Sequence, residues 1–150
     1  SPTGAREMDL AAVRRIEFSA QRHNTAHASE ADAFIEKITA MTPMDCLHFV
    51  QNAAKGDDRL MLWQVRSRIE EWSKPPPPPA AERLRALIIA HACVTAAIPG
   101  GRAGAVMRLQ RFRDYIKQNP ADTEAAALSR ELFRIINQKP VLPRRESTER

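Results

Sequence analysis

The sequence predicts an all-α fold, a compact bundle of about six to seven helices around a buried central helix at about 81–98. Two observations carry this. The run Ala86 to Pro99, ALIIAHACVTAAIP, holds no formal charge, and its apolar residues do not keep to one side. Leu84, Leu87, Ile88 and His91 share one helical face, while Ile89, Cys93 and Ala97 lie round the back. A helix that is apolar all round is a buried one, and this run is too short to cross a bilayer, which needs ~20 apolar residues. The second observation is punctuation. Glycine is rare and prolines cluster between segments, which suits helices joined by sharp breaks.

Residues 1–8 read as a frayed start, and because the chain begins at Ser1 it reads as an excised or processed piece. A first helix is expected from Asp9 to Arg22, with Leu10, Val13, Ile16 and Ala20 as its weak apolar face. His23 to Ala28 is a polar loop. Ser29 caps the next helix with Asp32 in a capping-box-like position, and Phe34, Ile35, Ile38 and Met41 form its stripe. Thr42-Pro43-Met44-Asp45 is the clearest helix start, with a capping threonine, proline at the first position and an acid in the first turn. That helix buries Cys46, Leu47, Val50 and Ala53, and Gly56 ends it in a left-handed conformation.

Asp57 or Asp58 caps a helix running to Trp72. Its inner stripe is Leu62, Val65, Ile69 and Trp72. Leu60 and Trp63 fall on the other side, where either the N-terminal helix covers them or they are exposed. Pro75 to Pro79 form a stiff polyproline II connector. The central helix follows, and Ile98-Pro99-Gly100-Gly101 breaks it. One further helix is expected from Arg102 to Gln118, burying Val106, Leu109, Phe112 and Ile116. Asn119-Pro120 stops it. Asp122 caps the last, which buries Leu128, Leu132, Ile135 and Ile136. The bundle domain is thus 9–138, and 139–150 is a flexible basic tail without a packing pattern.

Charge is uneven. Residues 1–73 hold nine Lys or Arg against eleven Asp or Glu, and residues 74–150 hold fourteen against seven. The basic excess of the second half suits either a soluble surface or an anionic partner. No signal peptide or membrane span is evident, so no membrane insertion is expected. Cys46 and Cys93 read as reduced core residues and not as a disulfide framework.

Catalytic chemistry has no signature here. His91 is a lone histidine on a buried face, without an acid pair, nucleophile motif or cofactor loop around it. Pro99 to Gly104 lacks the Gly-Lys-Ser/Thr ending of a phosphate loop and follows a helix instead of a strand. No cofactor and no metal are expected. The pairs Cys46/His48 and His91/Cys93 are two apart on helices and point in different directions, and His23 and His27 lie in a polar loop. The tail carries two short patterns, Pro140-Val141-Leu142-Pro143-Arg144-Arg145 of the PxxPxR form and Arg144-Arg145-Glu146-Ser147 of the RRxS form.

One resemblance covers the middle third. Glu30-Ala31-Asp32-Ala33, then Gln51-Asn52-Ala53-Ala54-Lys55-Gly56-Asp57, then Val65 and Ile69 resemble the kinase-binding helical bundles of AvrPtoB-type type III effectors of plant-pathogenic bacteria. A proline-containing loop and a helix resembling Arg83-Leu84-Arg85-Ala86-Leu87 follow. In that family a phenylalanine after the Gly-Asp break and the loop after its helix contact a host kinase. The resemblance places Leu62 at the phenylalanine position, with Trp63 beside it, and Pro75, Pro76, Pro77, Pro78 and Pro79 at the loop.

The expected function is a non-enzymatic module that binds another protein, a host kinase or signalling protein on this resemblance, delivered into the host cell. The binding edge would be Leu60, Leu62, Trp63 and Pro75 to Pro79. The competing class is a basic cytoplasmic or nuclear helical protein that binds RNA or DNA backbones through Arg102, Arg108, Arg111, Arg113 and Lys117.

Overall fold

The computed structural model describes residues 30–56, 59–74 and 76–142. Every regular element among them is helical. In chain order these are α1 (30–39), α2 (Pro43–Lys55), α3 (Arg59–Trp72), α4 (Ala81–Ala97), α5 (Arg102–Arg108), α6 (Gln110–Gln118) and α7 (Thr123–Asn137). The helix expected over Asp9 to Arg22, the caps Ser29 and Asp57 or Asp58, and the loop histidines His23 and His27 lie outside the described residues.

The uncharged run forms the axis as expected. Residues 87–90 and 92–96 of α4 are buried without interruption, and α4 touches α2, α3, α5, α6 and α7. Its alanines and the small Cys93 let neighbours close in around it. Cys46 and Cys93 are free and buried. Their hydrogen bond, together with burial, holds the Cys93 thiol well above its ordinary pKa.

Local signals set the starts of α2 and α7. The Thr42 hydroxyl accepts from the Asp45 amide at 3.3 Å, with Pro43 in the first turn. Asp122 caps α7 by accepting from the Ala125 amide at 3.1 Å. Its carboxylate also binds Arg85 of α4 through both oxygens, at 2.7 and 3.2 Å, and receives the Tyr115 hydroxyl of α6. One acid thus ties three helices together. Charge pairs also fasten α1. Asp32 takes Arg68 of α3 at 2.9 and 3.1 Å, so its carboxylate forms a cross-link; the expected capping box needs Ser29, which lies outside the described residues. Arg83 of α4 reaches Glu36 at 2.6 Å and Thr39 at 2.9 Å.

Three expectations need correction. Gly56 is extended, φ −93° and ψ −161°, instead of left-handed; its amide bonds the Ala53 carbonyl and closes a tight last turn. The helix expected over Arg102 to Gln118 is two helices. Leu109 (φ −85°, ψ 2°) leaves helical geometry between them, while the amide bonds Leu109 to Ala105 and Arg113 to Leu109 bracket the bend. Gly104 and the β-branched Val106 give α5 little helical drive of its own, and the bend keeps both α5 and α6 against α4 and α7. Third, the start of the tail packs. Lys139 Nζ donates to the Ile98 carbonyl at 2.6 Å, the Arg102 amide donates to the Pro140 carbonyl at 2.9 Å, and the Leu142 side chain lies over Gly101. Residues 143–150, with most of both short tail patterns, lie outside the described residues. The proline connector is non-helical over its described part, 76–79, as expected.

Candidate partner-binding groove

The third helix is amphipathic in two directions. Leu62, Val65 and Ile69 are fully buried against the core. This removes Leu62 from the expected binding edge: at 0% exposure it can touch no partner, because its spacing with Val65 and Ile69 faces it inward. Its sequence neighbours behave differently. Leu60 is 78% exposed and Trp63 is 48% exposed. They are three apart and therefore side by side on the outer surface.

Trp63 also starts a second line. Trp63, Arg66, Glu70 and Ser73-Lys74 recur at helical spacing and look into a groove. Its floor is α4, which offers Ile88, His91, Thr95 and Ile98 at the same spacing. The far wall is α5 with the start of α6. Two hollows lie along it. The larger, about 280 Å³, sits among Glu70, Lys74, His91, Arg108, Arg111 and Phe112. The smaller, about 110 Å³, sits among Trp63, Arg66, Thr95, Gly104, Arg108 and Lys139. Arg108 borders both.

In the larger hollow the polar groups satisfy one another. His91 Nε2 lies 3.0 Å from Glu70 Oε1. Burial pushes His91 below the ordinary histidine pKa, against the hydrogen bond and charge of Glu70, and Arg66 and Arg108 push the same way as burial. A neutral imidazole donating its Nε2 proton to the carboxylate fits these surroundings. This is the hydrogen-bonded core histidine that the sequence suggested. Arg108 approaches Glu70 at 3.9 Å, and Arg111 reaches the Ser73 carbonyl at 3.4 Å.

The smaller hollow is different. Arg66 is 7% exposed, and among the described residues it has neither a hydrogen bond nor a carboxylate within ion-pair distance. Its guanidinium lies over the Trp63 ring, 4.9 Å from the centroid. Burial pushes its pKa down, Arg108 adds to that, and Glu70 opposes it. Lys139 has only the Ile98 carbonyl, and burial lowers its pKa too. Among the described residues the buried Thr95 hydroxyl has no partner, and none that borders this hollow is an acid.

The five basic residues expected as one anion-binding set are therefore split. Arg108 and Arg111 reach the groove. Arg113 lies over Phe133, 5.8 Å from the ring centroid, Lys117 is exposed at the end of α6, and Arg102 is exposed at the start of α5. Arg66, Lys74 and Lys139 take their places. Arg66 was legible as a basic residue set four after Leu62 and three before Ile69, inside an apolar stripe. Lys139 gave no such signal, since nothing in the sequence shows the tail folding back. Pro76, Pro77 and Pro78 are exposed and Pro79 is half-buried; Pro75 lies outside the described residues. The connector leaves next to Lys74, so Leu60 and the prolines stand at opposite ends of α3 with the groove between them. No described helix is long and apolar enough to cross a membrane.

Comparison with protein-family models, with curated proteins and with solved structures gives no match.

Proposed function

We propose that this chain is a non-enzymatic protein-interaction module, and that α3 presents its binding face. The observation that supports this most is the outward pair Leu60 and Trp63, 78% and 48% exposed, at the rim of a basic groove. Tryptophan and arginine are the residues that most often carry binding energy at interfaces, and here they stack. The partner is a protein with an apolar contact and an anionic element next to it. The likeness of the middle third to kinase-binding effector bundles makes a host protein kinase domain the first partner to try, with the effector delivered into the host cell.

Nucleic-acid backbone binding is the weaker reading. A backbone wants a broad spread of cations along its path, and the expected five are dispersed over different faces.

The test is Trp63→Ala. It should weaken binding to the captured partner by ~2 kcal/mol, about 30-fold in Kd, while the domain stays folded. Unfolding of the variant would make Trp63 structural. Normal folding with normal binding would place the interface elsewhere.

A further inference from the structure

The smaller hollow is built like a site that lacks its ligand. Burying a cation is costly unless an anion or several hydrogen bonds compensate it. Among the described residues Arg66 has an aromatic face and nothing else, Lys139 has one carbonyl, and Arg108 has a Glu70 oxygen at 3.9 Å that His91 already holds at 3.0 Å. Three positive side chains thus converge with no acid among the described residues that line the hollow, and a buried hydroxyl donor, Thr95 Oγ1, has no partner among them. Gly104 leaves the wall open, since a Cβ there would meet nothing within 4 Å, while the Leu142 side chain lies over Gly101. At about 110 Å³ the space is well below the ~300–1,000 Å³ of pockets for drug-sized molecules. It suits a small, multiply charged oxyanion.

We propose that the hollow among Arg66, Thr95, Gly101, Gly104, Arg108 and Lys139 is an oxyanion pocket that takes a phosphate monoester on a side chain of the partner protein. This rests on the protein-interaction reading. A monoester carries close to two negative charges and three acceptor oxygens at neutral pH, which matches an arginine and a hydroxyl without an acceptor among the described residues and two further cations that are only partly satisfied. Arginine recognises such groups through paired N–H donors. A monoester ends its side chain and can enter a recess whose innermost donors, Arg66 and Thr95, are more than nine-tenths buried. A nucleic-acid phosphate is flanked by sugars on both sides and stays at the surface. Leu60 and Trp63, on the rim, give a protein its apolar contact next to the phosphate.

The test uses the full chain, 15N-labelled, followed by amide shifts. The probes are a short neutral peptide centred on phosphoserine, the same peptide unphosphorylated, inorganic phosphate, and a mixed-sequence oligonucleotide without terminal phosphates. The phosphopeptide should shift the amides of Thr95, Gly101 and Gly104, and the unphosphorylated peptide should leave them in place. Arg66→Met should weaken phosphopeptide binding by about tenfold or more. Gly104→Glu, which sets a carboxylate at the mouth where there is room for it, should do the same and serves if the Arg66 variant folds poorly.

The proposal falls if both peptides shift these amides equally, if neither does, or if both variants bind the phosphopeptide as the wild type does. It also falls if inorganic phosphate binds there and the phosphopeptide does not, or if the oligonucleotide binds there more tightly than the phosphopeptide. Loss of the pocket with Trp63-dependent partner binding intact would overturn only this inference; loss of Trp63-dependent binding with the phosphopeptide still seated would overturn only the interface reading.

Discussion

Two polar clusters sit at the two ends of α4, and they are opposites. At the N-terminal end, Asp122 receives both arms of Arg85, the Tyr115 hydroxyl and the Ala125 amide. At the C-terminal end, Arg66, Arg108 and Lys139 meet around Thr95, and among the described residues the one acid in ion-pair reach is Glu70, 3.9 Å from Arg108. The first cluster closes on itself and joins α4, α6 and α7. The second is open to whatever brings negative charge. A polar group that satisfies its neighbours belongs to the fold. Polar groups buried without partners mark the place where the fold stops being the whole explanation.

Removing the hub of the closed cluster should have the largest effect. Asp122→Ala deletes a helix cap and a charge-assisted bidentate pair together, and leaves Arg85 unpartnered except for Glu124 at 3.7 Å. We expect a loss of about 3 kcal/mol in urea unfolding. A loss under about 0.5 kcal/mol would mean that the cluster is decoration and the comparison fails.

Acid should dissolve the same cluster. The hydrogen bonds from Arg85 hold the Asp122 carboxyl well below the usual carboxylate range. A carboxylate whose folded pKa is depressed contributes stability that is full above its unfolded pKa, ~3.9, and is lost as pH falls through the lower folded value. Thermal unfolding followed from about pH 5 to about pH 2 should therefore show a steep fall in Tm for the wild type. Asp122→Asn should start lower and fall less. Parallel curves for the two proteins would show that Asp122 does not titrate as this geometry requires.

The open cluster should respond in the reverse sense. Arg66→Met removes a buried cation that no acid among the described residues pairs with and keeps most of the apolar stem. The lost contact with the Trp63 ring offsets part of the gain, since such stacking contributes ~0.5–1 kcal/mol at partly exposed sites. Net stability should stay within about 1 kcal/mol of the wild type. A loss of several kcal/mol would make Arg66 a structural residue like Arg85 and end the contrast between the two clusters.

How much of this was legible in the sequence depends on the range of the interaction. The central helix announced itself in Ala86 to Pro99, because total burial needs only local composition. Thr42-Pro43 and Asp122 announced their helix ends, because a cap is made within four residues. The bend at Leu109 was not legible, since it answers to packing on two helices and not to a proline or glycine at that point. The groove was half legible. Leu60 and Trp63 could be set off the inner stripe by spacing alone, but Leu62 was assigned outward from a resemblance, against its own place in that stripe. Arg66 stood in the stripe unremarked. Lys139 enters the site through a chain reversal that joins it to Ile98, forty-one residues earlier, and no local pattern encodes such a contact.

The smallest expected effect on stability lies at the outermost residue of the proposed face. Leu60 is 78% exposed at the start of α3, and substitutions at such positions fall within about 0.5 kcal/mol. Leu60→Ser should therefore melt with the wild type. It should still weaken binding to a partner seated on α3, by less than Trp63→Ala does, because a rim residue excludes water from an anchor and supplies little energy itself. The phosphopeptide should bind Leu60→Ser normally, since its pocket lies beyond Trp63. A Leu60→Ser protein that is clearly destabilised would place this side chain under cover in the folded chain. The outer face of α3 would then belong to the bundle, and only the basic groove would remain as a surface for a partner.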